Sequence, residues 1–513
     1  MNKRYRTVAR KDNDKRFQKD DLNGNYENRS APSVGGKRRN RNVETNIVSI
    51  IFVAIFAVMV IYMVNFNNAD AARIADSPYN QRVAKTTQQE NPVRRGAIYS
   101  NDGSLLAMTD LNEDTSERRV YPYGALFAAP IGMARGGGSG LEGGMYDDLG
   151  TATNKTEVLI KSKDHDKTEY QGDNVFTTLD VDLQQVAYDA LGDEKGAVVA
   201  VEPSTGKILC MVSKPSYDPN LADTEYNTWA NLSADDSVLI NRAAQGAYPP
   251  GSTFKVLTAL EYVKEHPKDY EKFAFNCTGT IHPVGGAEIH CINKIAHGQE
   301  DLTKAFVVSC NCAFSTIGTD LDMNKFRATA ESMGLNSTLP IEIDNYKSTF
   351  NLNDKSEMSE IQETSFGQGR TLITPLQNLM ITATVANGGT MMKPYMVEKV
   401  QATDGTIVRQ FAPVVYNANV ATEKEAGVVK KLMREMVSQS LYGIFGSAYS
   451  VCGKTGTAEF TNNSDRAHMW FTCFAPYENP RVAVIAICEK SEIDPTKAPK
   501  ICKKVLDAYF NKY

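Results

Sequence analysis

The sequence predicts an α+β protein, with one sheet assembled from strands at the two ends of a long region and a mainly helical middle packed against it. Three observations predict it. Apolar runs of strand length lie at 197–212 and again at 449–487. Helical periodicity dominates between them, and a charge-free apolar run at 47–64 precedes the whole region. With 513 residues the chain has room for more than one domain and a large core.

In chain order, residues 1–45 carry 13 Lys/Arg against 6 Asp/Glu, a net of +7 in a chain whose total is -5. This stretch is polar and lacks apolar periodicity, which predicts a disordered basic cytoplasmic tail; its charge suits topology and lipid contact, not nucleic acid. Residues 46–66 follow as a transmembrane anchor helix around the uncharged run IVSIIFVAIFAVMVIYMV. Lys37, Arg38, Arg39 and Arg41 precede it and no base occurs in 65–72. The positive-inside rule therefore keeps the N-terminus in the cytoplasm and puts the rest outside, a single-pass protein of the cell membrane. The residues after the run make a poor cleavage site, which favours a retained anchor.

Residues 67–172 read as a small mixed module. Arg94-Arg95-Gly96-Ala97-Ile98-Tyr99 followed by Asn101-Asp102-Gly103 predicts a strand, a turn and a strand. Gly136-Gly137-Gly138-Ser139-Gly140 predicts a mobile loop, since no phosphate-cradle frame surrounds it. From 173 to 513 the elements become dense: an amphipathic helix at 183–191, a hairpin of 197–201 with 208–212, strands at 449–460, 468–474 and 481–487, and a last helix at 499–510. Gly367-Gln368-Gly369 with Thr374-Pro375 predicts a loop and a helix start that Asn387-Gly388 closes, a scaffold element. Trp470, beside His468, either lines a cleft or packs within the sheet.

Nine cysteines leave at least one unpaired within the chain. Cys210, Cys452, Cys473 and Cys488 sit in apolar strand-like runs and read as small buried hydrophobes. Cys277 and Cys291 flank a Gly-containing hairpin and could form a disulfide, bind zinc with His282, His290 or His297, or stay free. Their spacing matches no regular zinc motif, so no metal ligand is assigned.

The chemistry starts at Pro249-Pro250-Gly251-Ser252-Thr253-Phe254-Lys255, where a loop becomes a helix bearing Val256, Leu257, Leu260 and Val263 on its apolar face. Ser252 and Lys255 fall on one face of the first turn, a nucleophile beside a base. A lysine in a dry pocket loses its proton readily and can take the serine's. Ser309-Cys310-Asn311 ends a second apolar run, and Lys454-Thr455-Gly456-Thr457 lies in a strand whose glycine suggests close approach by another backbone or a ligand. Each motif alone is common. In the order Ser-x-x-Lys, Ser-x-Asn, Lys-Thr-Gly they are the signature of the penicillin-binding and serine β-lactamase superfamily.

The resemblance extends to Gly196-Ala197-Val198-Val199-Ala200-Val201, Lys214-Pro215-Ser216-Tyr217-Asp218-Pro219-Asn220, Asn241-Arg242-Ala243, Gly367-Gln368-Gly369 and Lys454-Thr455-Gly456-Thr457-Ala458-Glu459. Residues 173–513 resemble the transpeptidase domain of class B penicillin-binding proteins, and Arg95-Gly96-Ala97-Ile98 more loosely resembles their non-catalytic module, as in the compact penicillin-binding protein A-like members. The resemblance implies an antiparallel sheet flanked by helices plus an all-helical part, and D,D-transpeptidation of peptidoglycan stem peptides with β-lactams as inhibitors. It implies Ser252 as nucleophile, Lys255 as base, Ser309 as proton relay, Asn311 as a holder of Lys255 and of substrate, and Lys454, Thr455, Gly456 and Thr457 as the binding strand. It implies no metal or organic cofactor. Residues 67–172 are too few for a glycosyltransferase, so the resemblance also implies a SEDS-type glycan polymerase as membrane partner. The rivals are a β-lactam sensor and a β-lactamase, for which Glu331 and Glu342 are the deacylation bases available by sequence order.

Overall fold

The computed structural model describes residues 41–65, 93–112, 116–160, 167–283, 285–459 and 465–513. Residues 1–40 of the expected tail, residue 66 of the anchor and 67–92 of the upstream module therefore lie outside the described residues, and 41–45, expected in the disordered tail, belong instead to a helix. The chain divides into two compact units, Met1–Ala72 and Arg73–Tyr513.

In the first unit α1 (Arg41–Asn65) is a continuous helix. Its described large side chains, such as Phe52 and Phe56, are exposed. Among the described residues no helix is long and apolar enough to cross a membrane; the described side chains of α1 run unbroken only over 47–60.

In the second unit β1 (Ile98–Tyr99) and β2 (Leu105–Leu111) pair antiparallel across the Asn101-Asp102 turn, as the local sequence predicts. β3 (Glu117–Val120) joins β2, and β4 (Asn174–Thr177) lies parallel to β1. α2 (Val181–Leu191) starts at Asp180, whose carboxylate accepts from the Leu183 N–H. The hairpin β5 (Gly196–Val201) and β6 (Ile208–Lys214) follows. Every residue of β5 is buried, the mark of a strand covered on both faces.

The middle region opens with α3 (Lys255–Glu265) and four short strands, β7 (Phe275–Cys277), β8 (Thr280–Ile281), β9 (Ile289–His290) and β10 (Gly298–Glu300), in which β8 pairs with β9 and β7 with β10. α4 (Leu302–Val307), α5 (Asn311–Asp320) and α6 (Pro375–Ala386) are each capped at the N-terminus, by Asp301, the Cys310 thiol and Thr374 respectively. Pro375 occupies the first position of α6 and Gly388 has φ +63 just past its end, as expected from Thr374-Pro375 and Asn387-Gly388. Then come β11 (Val397–Gln401), β12 (Ile407–Gln410), α7 (Glu423–Ser440), β13 (Cys452–Ala458), β14 (Arg466–Ala475), β15 (Val482–Glu492) and α8 (Lys497–Lys512).

Five antiparallel strands form the main sheet in the order β13-β14-β15-β5-β6, so strands from both ends of the region meet in one sheet. Consecutive residues on β14 show what covers it. Thr472 shares a 2.7 Å hydroxyl hydrogen bond with Thr382 of α6, while Cys473 meets Cys502 of α8. Neighbouring side chains on a strand point to opposite faces, which puts α6 and α8 on opposite sides. A second sheet has the order β12-β11-β4-β1-β2-β3 and draws strands from three parts of the chain.

The Gly136-Gly137-Gly138-Ser139-Gly140 stretch is not an open loop. It forms a short turn and the start of the helix Gly140–Gly144, and a Cβ at Gly138 would stand 2.7 Å from Gly143 Cα. A Cβ at Gly140 would stand equally close to the Gly132 nitrogen. These glycines permit backbone-to-backbone packing, a use that composition does not distinguish from flexibility.

Candidate active site

Ser252 lies in a 3-10 turn, Gly251–Phe254, that runs into α3. Such a turn has three residues per revolution, so Ser252 and Lys255 stack on one side even more directly than an α-helix would place them. Four hydrogen bonds hold the turn, one within it and three from outside. Gly251, at φ +55, donates its N–H to Gly367 O at 2.8 Å. Thr253 Oγ1 donates to Pro250 O at 2.7 Å and accepts from Asn378 Nδ2 on α6 at 2.8 Å. Trp470 Nε1 donates to Pro249 O at 3.1 Å. Trp470 is thus a buried brace of the nucleophile turn, and a Cβ on Gly367 would stand 1.8 Å from Gly251 O.

Lys255 is fully buried, and its ammonium donates to Ser309 O at 2.7 Å, Asn311 Oδ1 at 2.8 Å and Ser309 Oγ at 3.2 Å. Burial pushes its pKa down to about 7. Lys454, also fully buried, donates to the same Ser309 Oγ at 2.9 Å. Its pKa is pushed well below the usual lysine value by burial and then by the charge of Lys255. Ser309 and Asn311 reach the lysine because the chain breaks between α4 and α5: Ser309 adopts a left-handed φ of +57, a conformation that costs a non-glycine residue about 1–3 kcal/mol and is concentrated at functional sites. The site therefore joins three motifs through one hydroxyl.

Lys454, Thr455, Gly456 and Thr457 lie on β13, the edge strand of the main sheet. Alternation buries Lys454 and Gly456 and leaves Thr455 and Thr457 partly exposed. A Cβ on Gly456 would meet Thr253 Cγ2 at 3.0 Å, Pro250 O at 3.1 Å and Thr253 N at 3.2 Å. The close backbone approach expected from this glycine is therefore to the nucleophile turn. An edge strand also leaves N–H and C=O groups for an extended ligand to pair with.

Glu331 pairs with Arg327, and Glu342 accepts from the Met396 N–H at 2.8 Å, so both carboxylates are engaged away from the lysines. Cys210, Cys452, Cys473 and Cys488 are buried, as their apolar runs suggest. Cys277 and Cys291 are free thiols with their sulfurs 3.8 Å apart. His282 contacts Glu288, whereas His297 lies 3.5 Å from the Cys277 sulfur. The support that sequence reading misses is Asn378 on α6, a helix buried along its whole length, and the contact of Gly367 with the nucleophile turn.

Residues 196–507 match the family model of the penicillin binding protein transpeptidase domain. The chain is 33% identical over 473 residues to the peptidoglycan D,D-transpeptidase PbpA of Mycolicibacterium smegmatis, covering 84% of this chain and 92% of the relative. It is 28% identical to the peptidoglycan D,D-transpeptidase MrdA of Acinetobacter baumannii, over 77% of this chain and 66% of the relative. Among solved structures it is similar to the imipenem acyl-enzyme complex of penicillin-binding protein A from Mycobacterium tuberculosis, with a TM-score of 0.73, 29% identity, and coverage of 82% of this chain and 100% of that one.

Proposed function

This chain belongs to the penicillin-binding protein transpeptidase family, and from that membership we infer that it is a serine-type peptidoglycan D,D-transpeptidase and a target of β-lactams. The observation that carries the reading is the hydrogen-bonded cluster of Lys255, Ser309, Asn311 and Lys454 beside the turn that holds Ser252. In the proposed reaction Ser252 Oγ attacks the carbonyl of the penultimate D-alanine while Lys255, neutral in its buried pocket, takes the hydroxyl proton. The N–H groups of Ser252 and Thr457 hold the oxyanion, each donor being worth about 3 kcal/mol. The C–N bond then breaks, and Ser309 passes a proton from the lysine pair to the departing amine. The amine of a second stem peptide attacks the acyl-serine ester, and Ser252 recovers its proton. Asn311 fixes Lys255 and the substrate amide. Lys454, Thr455 and Thr457 bind the terminal carboxylate through charge-assisted hydrogen bonds, alongside the pairing edge at Gly456.

Residues 47–64 are the proposed single-pass membrane anchor, with the basic tail in the cytoplasm and the catalytic unit outside, where stem peptides lie. A SEDS-type glycan polymerase is the proposed membrane partner. Replacing 47–64 with an unrelated span should abolish its co-purification; an unchanged yield would remove the anchor from that interface.

A fluorescent penicillin tests the central reading. Wild-type protein should be labelled with an adduct that persists for minutes or longer, and Ser252→Ala should not be labelled. Labelling that survives the substitution would overturn the assignment of the nucleophile. An amine-dependent stem-peptide exchange assay then separates a transpeptidase from a sensor.

A further inference from the structure

Four groups scattered through the middle region converge beside the Ser-x-Asn turn. Cys277 ends β7, Cys291 follows β9, His297 precedes β10, and Cys310 is the residue between Ser309 and Asn311. The Cys277 sulfur lies 3.8 Å from that of Cys291 and 3.5 Å from His297 Nδ1, and the Cys291 sulfur lies 3.6 Å from that of Cys310. All four atoms fall within 4.8 Å of one another. A tetrahedral zinc ion, with bonds of about 2.3 Å to sulfur and 2.0–2.1 Å to nitrogen, spaces two sulfurs about 3.8 Å apart and a sulfur and a nitrogen about 3.5 Å apart. These three separations match that frame, and the Cys277–Cys291 separation is far longer than the roughly 2.05 Å of a disulfide.

Glu300 lies against the same groups. It is buried at 3% exposure, neither carboxylate oxygen meets a donor in good hydrogen-bond geometry, the Cys310 thiol stands beside it, and its Oε1 faces His297 Nδ1 at 3.6 Å. Cys312, 3.6 Å from the Cys291 sulfur, directs its thiol toward Ile289 O and stands outside the four.

We propose that Cys277, Cys291, His297 and Cys310 bind one Zn²⁺. Binding forms three Zn–S bonds and one Zn–N bond to neutral His297, and the three thiol protons go to solvent, with no change of oxidation state. Four protein ligands complete the tetrahedron, so the role is structural. Its position gives that role a consequence at the active site. Cys310 is flanked by the two residues that hold Lys255, Ser309 in its left-handed conformation and Asn311. Asn311 Nδ2 also donates to the carbonyl of His290, next to Cys291. Zinc on Cys310 therefore pins the turn that orients the catalytic lysine, making Cys310 a positioning residue.

The test is the metal content of the full-length protein purified in detergent without chelators. About one zinc per chain is expected in wild type and in Ser252→Ala, and below a tenth of that in Cys291→Ser. Because Cys291→Ser could unfold, wild-type protein is also stripped with a strong chelator and given back Zn²⁺ alone. Stripping should release about one equivalent and slow penicillin acylation at least tenfold, and Zn²⁺ should restore the rate. Reduced wild-type protein that takes up no Zn²⁺ would overturn the proposal. So would zinc retained in Cys291→Ser, or a Cys277–Cys291 disulfide in the native chain. An acylation rate indifferent to bound zinc would overturn the positioning role. Zinc content is independent of acylation, so this inference and the transpeptidase reading fail separately.

Discussion

Lys255 and Lys454 point at the same oxygen, with their ammonium nitrogens 3.2 Å and 2.9 Å from Ser309 Oγ. Two fully buried amines this close disfavour double protonation, and burial lowers the pKa of each. With Lys255 near 7, its base form grows as pH rises through neutrality. Acylation by a penicillin should therefore accelerate about tenfold between pH 6 and pH 8, measured as the second-order rate constant. The sign is fixed by the chemistry, because the neutral amine is the base. A rate that is flat or falls over this range would remove Lys255 from that role.

The contact between Gly456 and the nucleophile turn predicts a selective defect. In Gly456→Ala the added methyl meets Thr253 and Pro250 at 3.0–3.2 Å, so the edge strand and the turn must separate by a few tenths of an ångström. Catalysis is sensitive to displacement on that scale, and acylation should fall about tenfold to a hundredfold. The melting temperature should move by only a few degrees. Wild-type acylation in this variant would show that the spacing has slack.

Glu142 supplies a prediction away from the site. It is completely buried and bonds Arg95 Nε at 2.6 Å and Arg119 Nε at 2.7 Å. Burial pushes its carboxyl upward, but the two guanidinium groups prevail and hold it below the ordinary glutamate value. A depressed carboxyl contributes stability that is present above the ordinary value of 4.5 and is lost as pH falls below it. Glu142→Ala leaves two arginines without their partner and should cost about 3–5 kcal/mol in urea unfolding at pH 7. That cost should shrink in acid. An equal cost at pH 7 and pH 3.5 would show that the charge is not the source.

The main sheet was legible because its strands are long, apolar and bounded by turns: 197–201 and 481–487 pair as Ala197 with Ile487 and Val201 with Ala483. The motif residues were legible through order and spacing, and Lys255, Ser309, Asn311 and Lys454 meet in space. What sequence could not supply was contact at long range. Asn378 reaches Thr253 across 125 positions, and nothing local in α6 announces it. Cys310 was hidden for a different reason, since it sits inside a catalytic motif and the two thiols proposed to share its zinc are 19 and 33 positions upstream.

The second sheet sets a lower limit on what can fold alone. Its strand β4, at Asn174–Thr177, is sandwiched between β11, more than 200 residues later in the chain, and β1 from the upstream segment. A fragment beginning at 173 would keep every catalytic motif yet expose one side of β4 as an unpaired edge, with Val175 losing its partner Ile98. Removing the chain through Ile98 and Tyr99 should accordingly trade a soluble protein for one that pairs with its neighbours.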